Sequence, residues 1–262
     1  MITQLVNKNT IYKVLKKNVS LFAYHIGDLD NFFFPDCTWY GLFEEGEAHE
    51  IILIYTGLST PTVLVFGLSS KMPTLLKGIM NNLPDKFFCH YQKELEKYFL
   101  SDYKMNYLGT HLKMDFRGFP SDFLKIDISD CVQLTEEDET ELLTLYRTAY
   151  PDNYFESYML ATGKYYGVKV NNELKSVAGV HVYSKEYRIA VLGNITTHHA
   201  MRSRGLARKC VTKLLRELEE EVDYIGLNVK ADNEPAIKVY KKLGFRVNSE
   251  YEEAFFEKQG SS

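Results

Sequence analysis

The sequence predicts an α/β fold, an α+β mixed sheet flanked by helices, built twice in succession. Three observations carry that expectation. Short runs rich in β-branched and aromatic residues alternate with helical periodicities along all 262 residues. One order of elements (three strands, helix, strand, helix, strand) occurs in the first half after its helical opening and again across residues 165–257. Residues 117–130, opening Arg117-Gly118-Phe119-Pro120, separate the halves as a linker. The expected domains are residues 1–120 and 130–257.

In the first half, helical runs fill the first 30 residues. Residues 38–43, 50–55 and 62–67 read as three strands separated by turn residues, 71–83 as a helix, 86–91 as a strand, 93–100 as a helix, and 105–116 as one or two strands. In the second half, residues 132–134 read as a first strand, 136–149 as a first helix and 154–162 as a second, with Pro151 breaking between them. Residues 165–171, 173–184 and 187–196 form an antiparallel meander with turns at Asn171-Asn172 and Lys185-Glu186.

Residues 202–207, Arg-Ser-Arg-Gly-Leu-Ala, follow the last of these strands. They precede a helix whose apolar face is Ala207, Cys210, Val211, Leu214 and Leu218. The first N–H groups of a helix lack internal partners and lie at the positive end of its dipole, so such a turn suits a phosphate group. Gly205 removes a Cβ, and Arg202 and Arg204 add fork-shaped donors. A solvated strand-to-helix loop would carry the same residues. Further on, a short strand ends at Leu227-Asn228-Val229 and a punctuated helix follows. Asp232 or Asn233 caps it, Pro235 sits in its first turn, and Gly244 supplies the left-handed stop. Ala236, Val239, Tyr240 and Leu243 share one face. Tyr240 is there either a core aromatic or a phenol placed to donate a proton.

These two motifs resemble the GNAT superfamily of acyl-CoA-dependent N-acyltransferases. Arg202, Gly205 and Ala207 match one family pattern, and Leu227, Val229, Asn233, Ala236, Tyr240, Gly244 and Phe245 match the other. The resemblance covers residues 130–257 and implies a list of roles. Main-chain groups of Ile195 and Thr197, on a strand splayed by a bulge, would pair with pantetheine. The N–H groups of Ser203, Arg204, Gly205, Leu206 and Ala207 would hold the pyrophosphate. Asn233 would lie near the pantetheine, and Tyr240 near the thioester sulfur as general acid to the CoA thiolate.

The implied co-substrate is acetyl-CoA. The implied acceptor is a primary amine of a small molecule, or secondly of a protein N-terminus or lysine, attacking directly in a ternary complex. Asn194, Tyr154 and Glu156 are the expected substrate-facing residues, joined by Tyr150 and Asn153. The base stays open: the stretch 191–195 carries no carboxylate, and His198 and His199 lie close by in a turn. In the first half the turn 67–72 lacks the arginine-glycine pattern. That half resembles the degenerate first half of glycine N-acyltransferase-like relatives, which implies support or shaping of the acceptor pocket. A non-catalytic acyl-CoA sensor or scaffold is the alternative function.

Composition narrows the setting. A net charge of −4 argues against a general nucleic-acid or anionic-membrane binder, and 45% hydrophobic residues supply ample core. Cys37, Cys89, Cys131 and Cys210 show no paired spacing, so neither a metal site nor a disulfide framework is expected. No apolar run reaches the roughly 20 residues of a spanning helix. The expectation is a cytoplasmic enzyme with no membrane or nucleic-acid partner, for which a homodimer is an allowed assembly. Residues 258–262 read as a frayed tail.

Overall fold

A computed structural model describes residues 1–121 and 123–260. Its elements, in order, begin with β1 (Ile2–Leu5), α1 (Lys8–Leu15), α2 (Val19–Gly27), β2 (Cys37–Glu44), β3 (Glu47–Tyr55) and β4 (Thr62–Val65). Next come α3 (Met72–Ile79), β5 (Lys86–Tyr91), β6 (Tyr103–Phe116), β7 (Cys131–Gln133), α4 (Glu139–Ala149) and β8 (Tyr166–Val170). The chain continues through β9 (Glu173–Ser184), β10 (Ile189–Thr197), α5 (Leu206–Leu218), β11 (Tyr224–Lys230) and α6 (Glu234–Lys242) to β12 (Phe245–Lys258). Two compact units result. One is Met1–Lys113 with Val229–Asp232 and the chain from Asn248 onward; the other is Met114–Asn228 with Asn233–Val247.

Each unit contains the same ladder. In the first, β1 pairs with β2, β2 with β3 and β3 with β4, all antiparallel, and β4 then pairs parallel with β5. In the second, β7, β8, β9 and β10 pair antiparallel in sequence, and β10 pairs parallel with β11. The mixed α/β class is therefore present, and three strands, a helix and a parallel strand recur in both halves, while the second helix of the repeat is an α-helix only in the second half. The first two helices start where their sequence punctuates them: Asn7 and Asn18 accept the Thr10 and Leu21 N–H groups at 3.0 and 3.1 Å.

Several boundaries differ from those expected. Residues 2–5, inside the expected helical opening, form β1 because Leu5 pairs with Trp39 of β2. Residues 93–98 and 157–162 are 3-10 turns rather than α-helices. The second unit ends at Val247 and not at 257, because Glu252–Glu257 of β12 pairs with β5 and Phe256 fills the first unit's core. There Phe256 meets Phe99 at 4.6 Å and Phe87 at 5.4 Å between ring centroids. The expected linker is packed as well: Phe119 stacks on buried Phe123 at 3.6 Å, and Arg117 N–H donates to the Gly244 carbonyl. In the expected tail, the Gln259 amide donates to the Leu100 and Tyr103 carbonyls, while Ser261 and Ser262 lie outside the described residues.

Candidate active site

The site is built on a fault in the β9–β10 ladder. Gly193 pairs with Gly179 and Thr196 with Val177, so Asn194 and Ile195 together face the single residue Ala178. This is a β-bulge, and Asn194 adopts φ +54° within it. On the other side, β10 pairs with β11 only from Ile189↔Tyr224 to Leu192↔Leu227. Past Leu192 the β11-facing edge of β10 is open, and Ile195 and Thr197 lie on that stretch.

Asn194 is the centre of the bulge rather than an exposed contact. Its main-chain carbonyl accepts from the Tyr146 hydroxyl at 2.9 Å. Its side-chain amide donates to the Tyr154 carbonyl at 2.7 Å and the Tyr165 hydroxyl at 2.9 Å. The residue is 2% exposed. Expected among the substrate-facing residues, its side chain instead turns inward because these partners need both amide donors, and only its buried Oδ1 has no partner.

Beyond Thr197 the chain makes the anticipated turn. Ser203 and Gly205 take φ +63° and +80°, and Gly205 stands at the N-cap of α5. The first helical bond runs from Lys209 N–H to the Gly205 carbonyl, so the Leu206, Ala207 and Arg208 N–H groups precede the helical ladder. Arg202, Ser203, Arg204 and Gly205 are exposed, and Arg202 Nε donates to the Thr197 carbonyl at 3.4 Å. Cys210, Val211, Leu214, Leu215 and Leu218 are fully buried and hold the helix in place. A side chain at Gly205 would meet open space, but φ +80° would strain any L-residue there. The donor set fits a pyrophosphate: main-chain N–H groups at a helix start with two exposed guanidinium groups beside them.

Tyr240 lies on α6, where the Asn233 side chain caps the helix by accepting the Ala236 N–H at 3.3 Å. Its ring is buried edge-on to Phe245 at 6.0 Å, and its hydroxyl makes no hydrogen bond among the described residues. Burial, and secondarily the Tyr150 phenol, raise its pKa above the ordinary phenol value. Tyr240 is thus both a core aromatic and a phenol that stays protonated at neutral pH.

The remaining expected residues surround the segment after α4. Tyr154 is 43% exposed, Glu156 is exposed, and Asn153 Nδ2 donates to the Tyr150 carbonyl at 2.7 Å. Both turn histidines are engaged: His198 Nδ1 accepts from Ala200 N–H, and His199 Nε2 meets the Thr148 carbonyl at 2.8 Å. Sequence reading passed over His181. It is the extra residue of a second irregularity, between the Val191↔Val182 and Leu192↔Val180 pairs. Its ring crosses Gly193, where a Cβ would collide with it, and meets Tyr154 edge-on at 6.0 Å. The only signal was Gly193 immediately before Asn194.

In the first unit the corresponding turn is filled from within. Gln92 Oε1 accepts from Gly67 N–H at 2.8 Å, and fully buried Glu50 accepts from Leu68 N–H at 2.9 Å and the Ser69 hydroxyl at 2.6 Å. An internal carboxylate therefore occupies donors that an external anion would need.

Residues 130–245 match the Acetyltransferase (GNAT) family, so this segment is a GNAT-family acetyltransferase domain. Solved structures share the fold over nearly the whole chain. A Drosophila protein superposes with a TM-score of 0.71 at 11% identity, covering 98% of each chain. A putative GNAT acetyltransferase from Novosphingobium aromaticivorans gives 0.60 at 20% identity, covering 79% of this chain and 88% of that one. A tandem GNAT protein from the clavulanic acid biosynthesis pathway gives 0.54 at 12% identity, with both chains fully covered. No curated protein sequence matches the chain. Among the described residues no helix is long and apolar enough to cross a membrane.

Proposed function

We propose that this protein is an N-acetyltransferase that moves an acetyl group from acetyl-CoA to a primary amine by direct attack. The observation that carries the reading is the coincidence of the Asn194 bulge, the open β10 edge beyond Leu192 and the Gly205-capped start of α5 in one unit. When bound, acetyl-CoA supplies the thioester. The free N–H groups at the start of α5, with Arg202 and Arg204, hold its pyrophosphate, and the open edge at Ile195 and Thr197 accepts its amide-bearing arm. Tyr240, kept protonated by burial, donates to the departing sulfur. The acceptor amine enters beside Tyr154 and Glu156. His181, beside the bulge, is the titratable group on β9 best placed to take its proton. The first unit, whose turn is filled by Glu50, holds no acetyl-CoA and supports the second. The reaction proceeds in the cytoplasm.

Release of free thiol from acetyl-CoA, measured across a panel of primary amines, tests this reading. Amine-dependent thiol release supports it. Saturable acetyl-CoA binding with no release for any amine would favour the sensor, whose only requirement is the same cradle.

A further inference from the structure

We infer that the acceptor is a diamine or longer polyamine, held through a second ammonium on the outer face of the segment 150–158 while its other nitrogen reacts at the bulge. The inference rests on the acetyltransferase reading and names its substrate class. The segment alternates. Tyr150, Asp152, Tyr154, Glu156 and Tyr158, every second residue, are all exposed, the three tyrosines at 37%, 43% and 37%. Between them Phe155 turns inward, its ring centroid 5.5 Å from that of Tyr146 and 5.7 Å from that of Tyr165. The backbone at Glu156 is extended, with φ −123° and ψ 142°, so Tyr154 and Glu156, on either side of Phe155, share the outer face.

This face is anchored to the site. The Tyr154 carbonyl accepts from the Asn194 amide at 2.7 Å, which ties it to the bulge, and the Tyr154 ring meets His181 edge-on at 6.0 Å. Exposed aromatic rings held in place in this way mark a surface that a ligand covers. Its charge says which ligand. From Thr148 to Gly163 the chain carries two carboxylates, Asp152 and Glu156, and no lysine or arginine. Among the described residues neither carboxylate makes a side-chain hydrogen bond or ion pair. The flanking basic groups are turned back on α4: Arg147 Nε donates to the Leu143 carbonyl at 3.4 Å, and His199 Nε2 meets the Thr148 carbonyl.

A tyrosine face and a carboxylate without a partner both attract an ammonium. The reacting nitrogen is not that ammonium. It must give up its proton and expose a lone pair before it attacks, so a face that favours its charged form would oppose the reaction. The attraction therefore serves a second charge, which the acceptor keeps throughout. Two residues of extended chain, roughly 6–7 Å, separate Tyr154 at the bulge from Glu156, which is the span of a short α,ω-diamine. An amino-acid acceptor would instead bring its own carboxylate against Asp152 and Glu156 as a like charge.

The test titrates 1,4-diaminobutane and 1-aminobutane, separately, into the purified chain in the presence of excess CoA, and runs both amines in the thiol-release assay. The diamine should bind roughly tenfold or more tightly than the monoamine, and the advantage should shrink as salt is raised. Glu156→Gln combined with Asp152→Asn should bring the two affinities together, whereas Glu186→Gln, at the β9–β10 turn, should leave their ratio as it is. All three carboxylates are exposed, so these variants should fold as the wild type does. Equal binding of the two amines to the wild type, or a diamine preference that survives the double variant, would overturn the inference whether or not thiol is released. Preferential diamine binding without thiol release would support the recognition face and sink the acetyltransferase reading, so the two failures are told apart.

Discussion

The Tyr146 hydroxyl donates a 2.9 Å hydrogen bond to the main-chain carbonyl of Asn194, fastening α4 to the bulge that opens β10. Both groups are buried, so Tyr146→Phe would leave a carbonyl without a partner. The expected loss is about 1–3 kcal/mol of unfolding free energy in a denaturant titration. An unchanged midpoint would show that the bulge holds itself in place.

Gly205 is the second structural requirement of the cradle. At φ +80° a β-branched residue is strained, by about 1–2 kcal/mol for the left-handed conformation, although there is room for its Cβ. Gly205→Val should therefore weaken acetyl-CoA binding by roughly tenfold or more, as relief of the strain pulls the Leu206 and Ala207 N–H groups out of line. Calorimetry reads this directly. Equal affinities in variant and wild type would remove the turn from the binding site.

Tyr240→Phe separates binding from chemistry. Removal of a general acid should lower kcat by roughly 10²- to 10⁴-fold and leave acetyl-CoA affinity nearly unchanged. Since burial raises the Tyr240 pKa, the wild-type rate should show no loss attributable to this phenol below about pH 10. A parallel fall in affinity and turnover would make Tyr240 a packing residue only.

His25 makes the first unit sensitive to acid. Burial, then Lys113 and His90, lower its pKa from 6.5 to about 3, against the raising effect of the Leu64 carbonyl. The folded state keeps His25 neutral while the unfolded chain binds a proton below about pH 6.5, so stability present at neutral pH is lost as pH falls toward 3. The contribution is on the order of 5 kcal/mol. Asp28 acts in the opposite direction, because burial and Asp30 raise its pKa to about 7. The wild type minus His25→Phe difference isolates the histidine: it should shrink steadily between pH 6.5 and pH 4 in parallel denaturant titrations. A constant difference would mean that His25 is not held neutral.

Much of the fold was legible because its elements carry local signals. The β8–β10 meander follows from alternation with turns at Asn171-Asn172 and Lys185-Glu186, and Asn233 and Gly244 punctuate α6 as read. The turn 202–207 was legible for the same reason: a glycine with φ +80° is a local demand. What escaped is decided by distant partners. Ile2–Leu5 is a strand only because β2 lies beside it, and β12 leaves the second unit because β5 and the Phe87–Phe99 cluster accept it. Asn194 reads in sequence as a substrate-facing residue, whereas bonds to Tyr146, Tyr154 and Tyr165 turn it inward. His181 depends on ladder register, which no single segment encodes.

The most direct test of the central claim is calorimetric titration of the purified chain with acetyl-CoA, with CoA and ATP for comparison. The predicted result is saturable binding of acetyl-CoA and CoA at one site per chain, since Glu50 fills the corresponding turn of the first unit, and no comparable binding of ATP. Absence of binding by either CoA species at high concentration would contradict the acetyltransferase reading and leave a scaffold with this fold.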